Sequence, residues 1–384
     1  MSTKWGWARF GDFLHPNSRP YTLGAEEDAN LVGMRLYGAG PFHRELKPAM
    51  QIAKKTHFVI KLGDIIYNKL FAWKGTFGIV PRGLDGMFVS DKFPTYELDR
   101  ERVDENWLRW YFRCPVLWEE ARTMSTGSAA LSKLTLNPPK FLLLTMPLPP
   151  LDEQRRIVAR VEALSAKIEE ARSLRAQAAE GVRGFVASLH VKMAGTRVRR
   201  LEQFLELFEE QERVQIGGSY PQVGVRGFGQ GLFERSPVEA AHTTYAAFNR
   251  LYAGAVVLSQ VKGWEGAIAV CPSSLAGRYA SPEYRTFRCI SGEAEPEYVA
   301  PLFASPWFWS RLSDLTRGVG ARRERVRPEL FLRMEIPMPR IEDQRRALPL
   351  LDNLGNVAKC QAETAPELDA LLPSILDRAF KGEL

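Results

Sequence analysis

The chain contains two near copies of one stretch, 191 residues apart. "VGMRLYGAGPFHR" (Val32–Arg44) aligns without a gap with "VGVRGFGQGLFER" (Val223–Arg235). Val32/Val223, Gly33/Gly224, Arg35/Arg226, Gly38/Gly229, Gly40/Gly231, Phe42/Phe233 and Arg44/Arg235 are identical. The same offset pairs "GDIIYNKLFAWKGTFGIVPRGLDG" (Gly63–Gly86) with "GAVVLSQVKGWEGAIAVCPSSLAG" (Gly254–Gly277), and it holds through Pro115/Pro306, Trp118/Trp309 and Gly127/Gly318. After a slip to 190, Pro138/Pro328, Phe141/Phe331, Pro147/Pro337 and the "QRR" triplets at Gln154 and Gln344 match. One register with a single slip marks a duplicated structural unit. Whatever this chain folds into, it is built twice.

Each copy has two parts. The first is of mixed α/β character. "DIIYNKL", "GTFGIV", "AVVLSQV" and "GAIAVC" are short runs rich in β-branched and aromatic residues, bounded by Gly and Pro, and they read as strands. "NWLRWYFRCPVLWEEA" and "EYVAPLFASPWFWSRLSDL" read as helices interrupted at Pro115 and Pro306. The second part follows a proline cluster, "MPLPPLDEQRR" and "IPMPRIEDQRR". Proline lacks an amide proton and disfavours helix in the residue before it, so the run is extended. Asp152 and Glu153 then sit in the first helical turn, where the dipole favours acids.

Ile157, Val161, Leu164, Ile168 and Ala171 form a seam along one face of that helix, which is predicted to run to about Met193 and to loosen at Gly181 and Gly184. In the second copy Leu351, Leu354 and Ala358 keep the rhythm; a break is expected near Pro366, after which Leu368, Leu372, Ile375 and Ala379 resume it. Such seams are too narrow for a core helix, and two of them would bury each other. The expected divisions are 1–145, 146–198, 199–335 and 336–384.

Composition excludes several classes. Of 384 residues, 45% are hydrophobic and 25% charged, as in a globular protein with real cores. No apolar run is long enough to span a membrane, and "MSTKWGWARFGDF" has no signal-peptide core, so a cytoplasmic location is expected. Cys114, Cys271, Cys289 and Cys360 lie far apart without a CxxC pair, which fits reduced thiols rather than zinc or disulfides. The net charge is +7, a surplus compatible with a polyanionic partner. It is uneven: residues 1–145 hold 20 Lys and Arg against 15 Asp and Glu, while residues 201–336 hold 15 against 16. No segment is a basic tail, so a polyanion would be gripped by folded surfaces.

Catalytic motifs are weak. "NPPKF" (Asn137–Phe141) approaches the Asn-Pro-Pro-aromatic signature of amino-methylating enzymes, but Lys140 stands where the aromatic belongs, and the second copy reads "RPELF". A linker turn is the simpler reading. The glycines of "GAG" and "GFGQG" lack the Gly-Lys-Ser/Thr of a phosphate-binding loop. His15, His43, His57, His190 and His242 have no metal-ligand spacing. The arginine pairs Arg35/Arg226 and Arg44/Arg235 lie in Gly-rich stretches that suit phosphate contacts or guanine reading, and equally a supporting ion pair. Lys69, Lys74 and Lys92 match Gln260, Glu265 and Glu283, while Lys262, Arg322 and Arg323 are particular to the second copy. Such divergence suits two modules reading different targets, and also surface drift.

The proline–helix starts "PLPPLDEQRRIVARVEAL" and "IPMPRIEDQRRA", the terminal "LLPSILDRAFKGEL" and the stretch "GDIIYNKLFAWKGTFGIVPRGLDGMFVSDKFPTYEL" together resemble the specificity (S) subunit of type I restriction-modification systems, over essentially the whole chain. The second copy departs from the pattern, with Arg340 in place of Pro150 and Ala347-Leu348 in place of Ile157-Val158. The resemblance implies two α/β target-recognition domains joined by two long helices in an antiparallel coiled coil with pseudo-twofold symmetry. Each domain would read half of a split target in double-stranded DNA. The helices, about 60 Å long for about 40 residues, would set the gap and dock methyltransferase subunits. The cofactors S-adenosylmethionine, ATP and Mg would reside on the methyltransferase and restriction (motor and nuclease) subunits, and this chain would carry no active site. A single-chain DNA methyltransferase or nuclease is the alternative, and a scaffold binding only proteins a third.

Overall fold

The computed structural model describes residues 4–24, 26–52, 56–127, 134–314 and 325–384. It divides into two compact units, Met1–Ala171 with Ala365–Leu384, and Arg172–Thr364.

In the first unit a four-stranded antiparallel sheet runs in the order Leu14–Pro16, Thr95–Leu98, Ile65–Tyr67, Phe77–Ile79. The last two strands are the expected apolar runs, and every residue in them is buried. A five-stranded sheet runs Pro20–Thr22, Thr56–Val59, Phe88–Val89, Asp28–Met34, Pro41–Pro48, with one parallel link, Leu31 to Phe88. Helix α1 (Glu105–Tyr111) is capped by Asp104, whose carboxylate accepts from the amides of Asn106 and Trp107. Pro115 opens helix α2 (Pro115–Met124) rather than breaking one, because a first-turn residue needs no amide proton.

"NPPKF" is not a linker turn. Pro138–Phe141 is a short helix, α3, and Phe141 is fully buried. Its ring stacks 4.1 Å from Tyr67 and lies 5.0 Å from Tyr96 and 5.3 Å from Phe10. The prolines preset the backbone, and burial of one large ring holds the turn closed. Helix α4 (Leu151–Ala194) follows.

The second unit repeats this strand for strand. Its four-stranded sheet is Leu205–Leu207, Tyr284–Cys289, Val256–Ser259, Ile268–Val270, and its five-stranded sheet is Glu210–Arg213, Ala247–Arg250, Tyr279–Ala280, Ser219–Val225, Leu232–Glu239. Helices α5 (Pro296–Phe303), α6 (Pro306–Asp314) and α7 (Pro328–Arg333) match α1 to α3, and α8 (Ile341–Lys381) closes the series.

The long helices correct two expectations. Helix α8 is unbroken through Pro349, Pro366 and Pro373, and α4 through Gly181 and Gly184. All three prolines lie on exposed positions, where water can take the carbonyl each leaves unbonded. The seams meet each other and also join the core of each unit. In the first unit Ile157, Val158 and Val161 of α4 share one core with Leu376, Ala379 and Phe380 of α8 and with Phe10, Trp107, Tyr111 and Phe141. In the second, Val186 of α4 shares a core with Ala347 and Leu351 of α8 and with Leu201, Phe204, Tyr298 and Phe303. Within each unit the beginning of one helix thus lies with the end of the other, an antiparallel arrangement. Ile157, Val161, Ile168 and Leu351 are buried, whereas Leu164, Leu354, Leu372 and Ile375 are half-buried. Leu376 and Phe380 take the deep positions instead, because Phe380 turns toward Trp107 and Tyr111, at 4.5 and 4.9 Å.

Candidate nucleic-acid interface

The repeated Gly-rich motif is a hairpin. Gly33 lies opposite Phe42, and Gly224 opposite Phe233. A Cβ on Gly33 would stand 2.9 Å from the Phe42 ring, and one on Gly224 2.6 Å from the Phe233 ring. The arginine two residues on then covers that ring from outside: Arg35 lies 4.9 Å from the Phe42 centroid and Arg226 4.8 Å from that of Phe233. Both arginines are exposed.

At the hairpin tip, Gly38 (φ 69°) and Gly229 (φ 67°) are in the left-handed region. A side chain on Gly38 would collide with the Phe112 carbonyl, and one on Gly229 with the Ala304 carbonyl. The residue before each is also left-handed and is not glycine: Tyr37 at φ 61° and Phe228 at φ 57°. That conformation costs a side-chain-bearing residue about 1–2 kcal/mol. Backbone bonds hold it: Tyr37 N–H donates to the Lys74 carbonyl at 2.8 Å and Phe228 N–H to that of Glu265 at 2.6 Å.

The other basic positions follow from this frame. Lys74 belongs to the turn that holds the tip, with its ammonium 4.9 Å from the Trp73 ring centroid. Lys69 and Lys92 are neighbours, the Lys69 amide donating to the Lys92 carbonyl at 2.9 Å. Lys92 lies 3.6 Å from Asp91, Arg44 3.4 Å from Glu45 and Lys262 4.0 Å from Glu265, all at least partly exposed pairs of little weight. Arg235 is exposed on its strand opposite Gln222. Arg322 and Arg323 lie outside the described residues. In the first unit backbone bonds therefore link the tip beside Arg35 to the supporting turn of Lys74, and Lys69, five residues before Lys74, to Lys92.

Two cavities flank this strip. One of about 300 Å³ lies beside the tip, with Gly38, Pro41, Ile79, Arg109, Trp110 and Arg113 in its wall. The other, of about 250 Å³, is largely apolar and includes Asn17, Phe58, Lys69, Phe93 and Tyr96. Arg109 of α1 and Arg113, in the turn between α1 and α2, escaped the sequence reading because that stretch looked purely structural.

No family model matches the chain. No curated protein matches it either. Solved structures do. A chain from a structure concerned with complex assembly and conformational transition of the type I R-M system superposes with a TM-score of 0.68 at 23% identity, covering 99% of this chain and 98% of that one. The HsdS subunit from Thermoanaerobacter tengcongensis superposes with a TM-score of 0.51 at 22% identity, covering 99% of this chain and 97% of that one.

The chain has the HsdS fold.

Within the HsdS fold the "QRR" triplets acquire a structural meaning that spacing did not reveal. Gln154 and Gln344 are both fully buried. The Gln154 carboxamide accepts from the Asp104 amide at 2.8 Å and donates to the carbonyls of Arg102 at 3.0 Å and Pro149 at 2.8 Å. Gln344 does the same with the Glu295 amide at 3.1 Å and the carbonyls of Glu293 at 3.0 Å and Pro339 at 3.1 Å. Each glutamine pins the first turn of a long helix to the start of the first short helix in its own unit. The next arginine pairs with the same cap residue: Arg155 lies 3.8 Å from Asp104 and Arg345 2.7 Å from Glu295.

Proposed function

We propose that this chain is the sequence-specific DNA-binding subunit of a type I restriction-modification complex in the cytoplasm. Each mixed α/β region reads one half of a bipartite target in double-stranded DNA. The long helices fix the spacing and dock methyltransferase subunits, to which a restriction subunit adds. S-adenosylmethionine, ATP and Mg act on those partners, and this chain has no catalytic residues. One observation carries the reading: the HsdS fold covers 99% of the chain. Phosphate contacts would supply most of the affinity and base-edge contacts the specificity. Phe141, the aromatic of the only methyltransferase-like motif, lies in the core and has no free face for a flipped base.

The test is selection from a pool of randomised DNA duplexes. The expected product is a motif of two short halves at a fixed gap. A continuous motif, or none, overturns the reading. Replacing residues 1–145 with the matching region of another such chain should change one half only. Methyl transfer by the purified chain alone, given S-adenosylmethionine, would establish the single-chain enzyme instead.

A further inference from the structure

The two hairpin tips hold more than a turn requires. A tight turn that needs φ near +60° takes glycine, or asparagine at small cost. Here an aromatic residue occupies that position in both units, Tyr37 at φ 61° and Phe228 at φ 57°. Both rings are also exposed, 58% for Tyr37 and 59% for Phe228. Neither serves the core. Strain that persists at the same place in two diverged copies, with an apolar ring held outward, is the pattern of a ligand-contacting group.

The rings are propped. Tyr37 leans on Trp118 at 5.4 Å between centroids, and Phe228 on Trp309 at 5.7 Å. Trp118 is itself fixed, its indole N–H donating to the Phe112 carbonyl at 2.8 Å. The surroundings of the first tip favour an anion: Arg35 follows the same strand, Lys74 supplies the carbonyl that holds the tip, and Arg113 stands in the wall of the adjoining cleft. An exposed aromatic ring beside cations without an ion-pair partner among the described residues suits a nucleic acid, whose bases and sugars offer apolar faces and whose backbone offers charge.

We infer that Tyr37 and Phe228 are paired DNA-contacting wedges, one per half-site, each pressing its ring against base or sugar faces while neighbouring groups hold the backbone. The inference rests on the DNA-reading function proposed above and adds the side chains through which each half is engaged.

The experiment is the same selection from randomised duplexes, run on the full chain and on variants. Tyr37→Asn and Tyr37→Gly keep a backbone that accepts positive φ and remove the ring, and Phe228→Asn and Phe228→Gly do the same in the second unit. Two substitutions per site keep the test valid should one fail to fold, as judged by circular dichroism. Loss of the ring is expected to reduce enrichment at one half-site about tenfold, and at the opposite half-site for the other unit. Tyr37→Phe and Phe228→Tyr should restore it, since the two copies exchange these residues. If the wild type selects two half-sites and the ring-less variants select both unchanged, the wedge inference fails and the DNA-reading function stands. If the wild type selects nothing, both fail. A Tyr37 variant that weakens both halves equally also overturns the assignment of one wedge to each half.

Discussion

The two units share a skeleton and differ in how they use charge. In the first, Lys69 and Lys74 have no ion-pair partner among the described residues. The second has Gln260 and Glu265 there, and Glu283 in place of Lys92 pairs with Arg325 at 3.2 Å. Three more of its arginines are engaged in the same way: Arg278 with Glu234 at 2.8 Å, Arg285 with Glu209 at 2.5 Å and Arg288 with Glu206 at 2.6 Å. The first unit's cavity above Lys69 has Asn17 and Ser18 in its wall, where the second has Phe208 and the paired Glu209. Arg109 and Arg113 become Ala300 and Ala304. The lesson is a division of labour. Glycines, buried rings and the glutamine clamp repeat because backbone geometry depends on them. Surface charge is free to diverge, and it places cations in the first unit at Lys69, Lys74, Arg109 and Arg113 where the second has Gln260, Glu265, Ala300 and Ala304.

The largest test of this comparison lies in the cores. Phe141 touches several rings, whereas Phe331 is described against Phe287 alone, at 4.9 Å. Phe141→Ala should cost about 4 kcal/mol in urea unfolding and Phe331→Ala about 3 kcal/mol. Equal losses would mean that the two cores are alike despite their rings.

Acid separates the units next. His190 on α4 and Phe380 on α8 occupy matching places, 190 residues apart. His190 is 2% exposed, bonds Tyr298 at 2.8 Å and meets the Trp307 ring edge-on. Burial lowers its pKa to about 4, opposed by a hydrogen bond to the Pro337 backbone and helped by a smaller push from Arg311. Between the ordinary histidine value and 4 the unfolded chain binds the proton and the folded chain does not, so stability falls as pH drops through that window. The second unit should lose roughly 3 kcal/mol by pH 4, and His190→Phe should abolish that dependence. A first unit that acidifies with the same slope would contradict the comparison.

The clamp should behave alike in both. Gln154→Ala and Gln344→Ala each leave a buried amide and two carbonyls unpaired, and each should cost about 2 kcal/mol. A tenfold difference between them would show that one copy has become ornamental. Smallest in energy is the charge exchange. Lys69→Gln with Lys92→Glu, the residues of the second unit, should reduce the dependence of log affinity on log salt by about 2 if both lysines meet phosphates. An unchanged slope would place the DNA elsewhere.

How much of this was legible beforehand depends on which force decides each feature. The duplication, the strands at Ile65–Tyr67 and Phe77–Ile79 and the start of each long helix were readable, because local rules set them: β-branched runs between turns, and proline before a first-turn acid. The hairpin arginines were visible as a pattern, but their stacking on Phe42 and Phe233 was not. The break expected at Pro366 failed because a proline's local penalty was outweighed by helix on either side anchored in a core. Phe141 read as part of a turn, since nothing nearby in sequence announces that Phe10, Tyr67 and Tyr96 converge on it. The glutamines were seen to match, yet their partners lie about 50 residues upstream. What the sequence determined alone was periodic or local: a fold made twice, with helices begun by prolines. What tertiary structure decided was where buried polar groups found their partners and where strained aromatic tips were left exposed, because burial and hydrogen bonding join residues that chain order keeps apart.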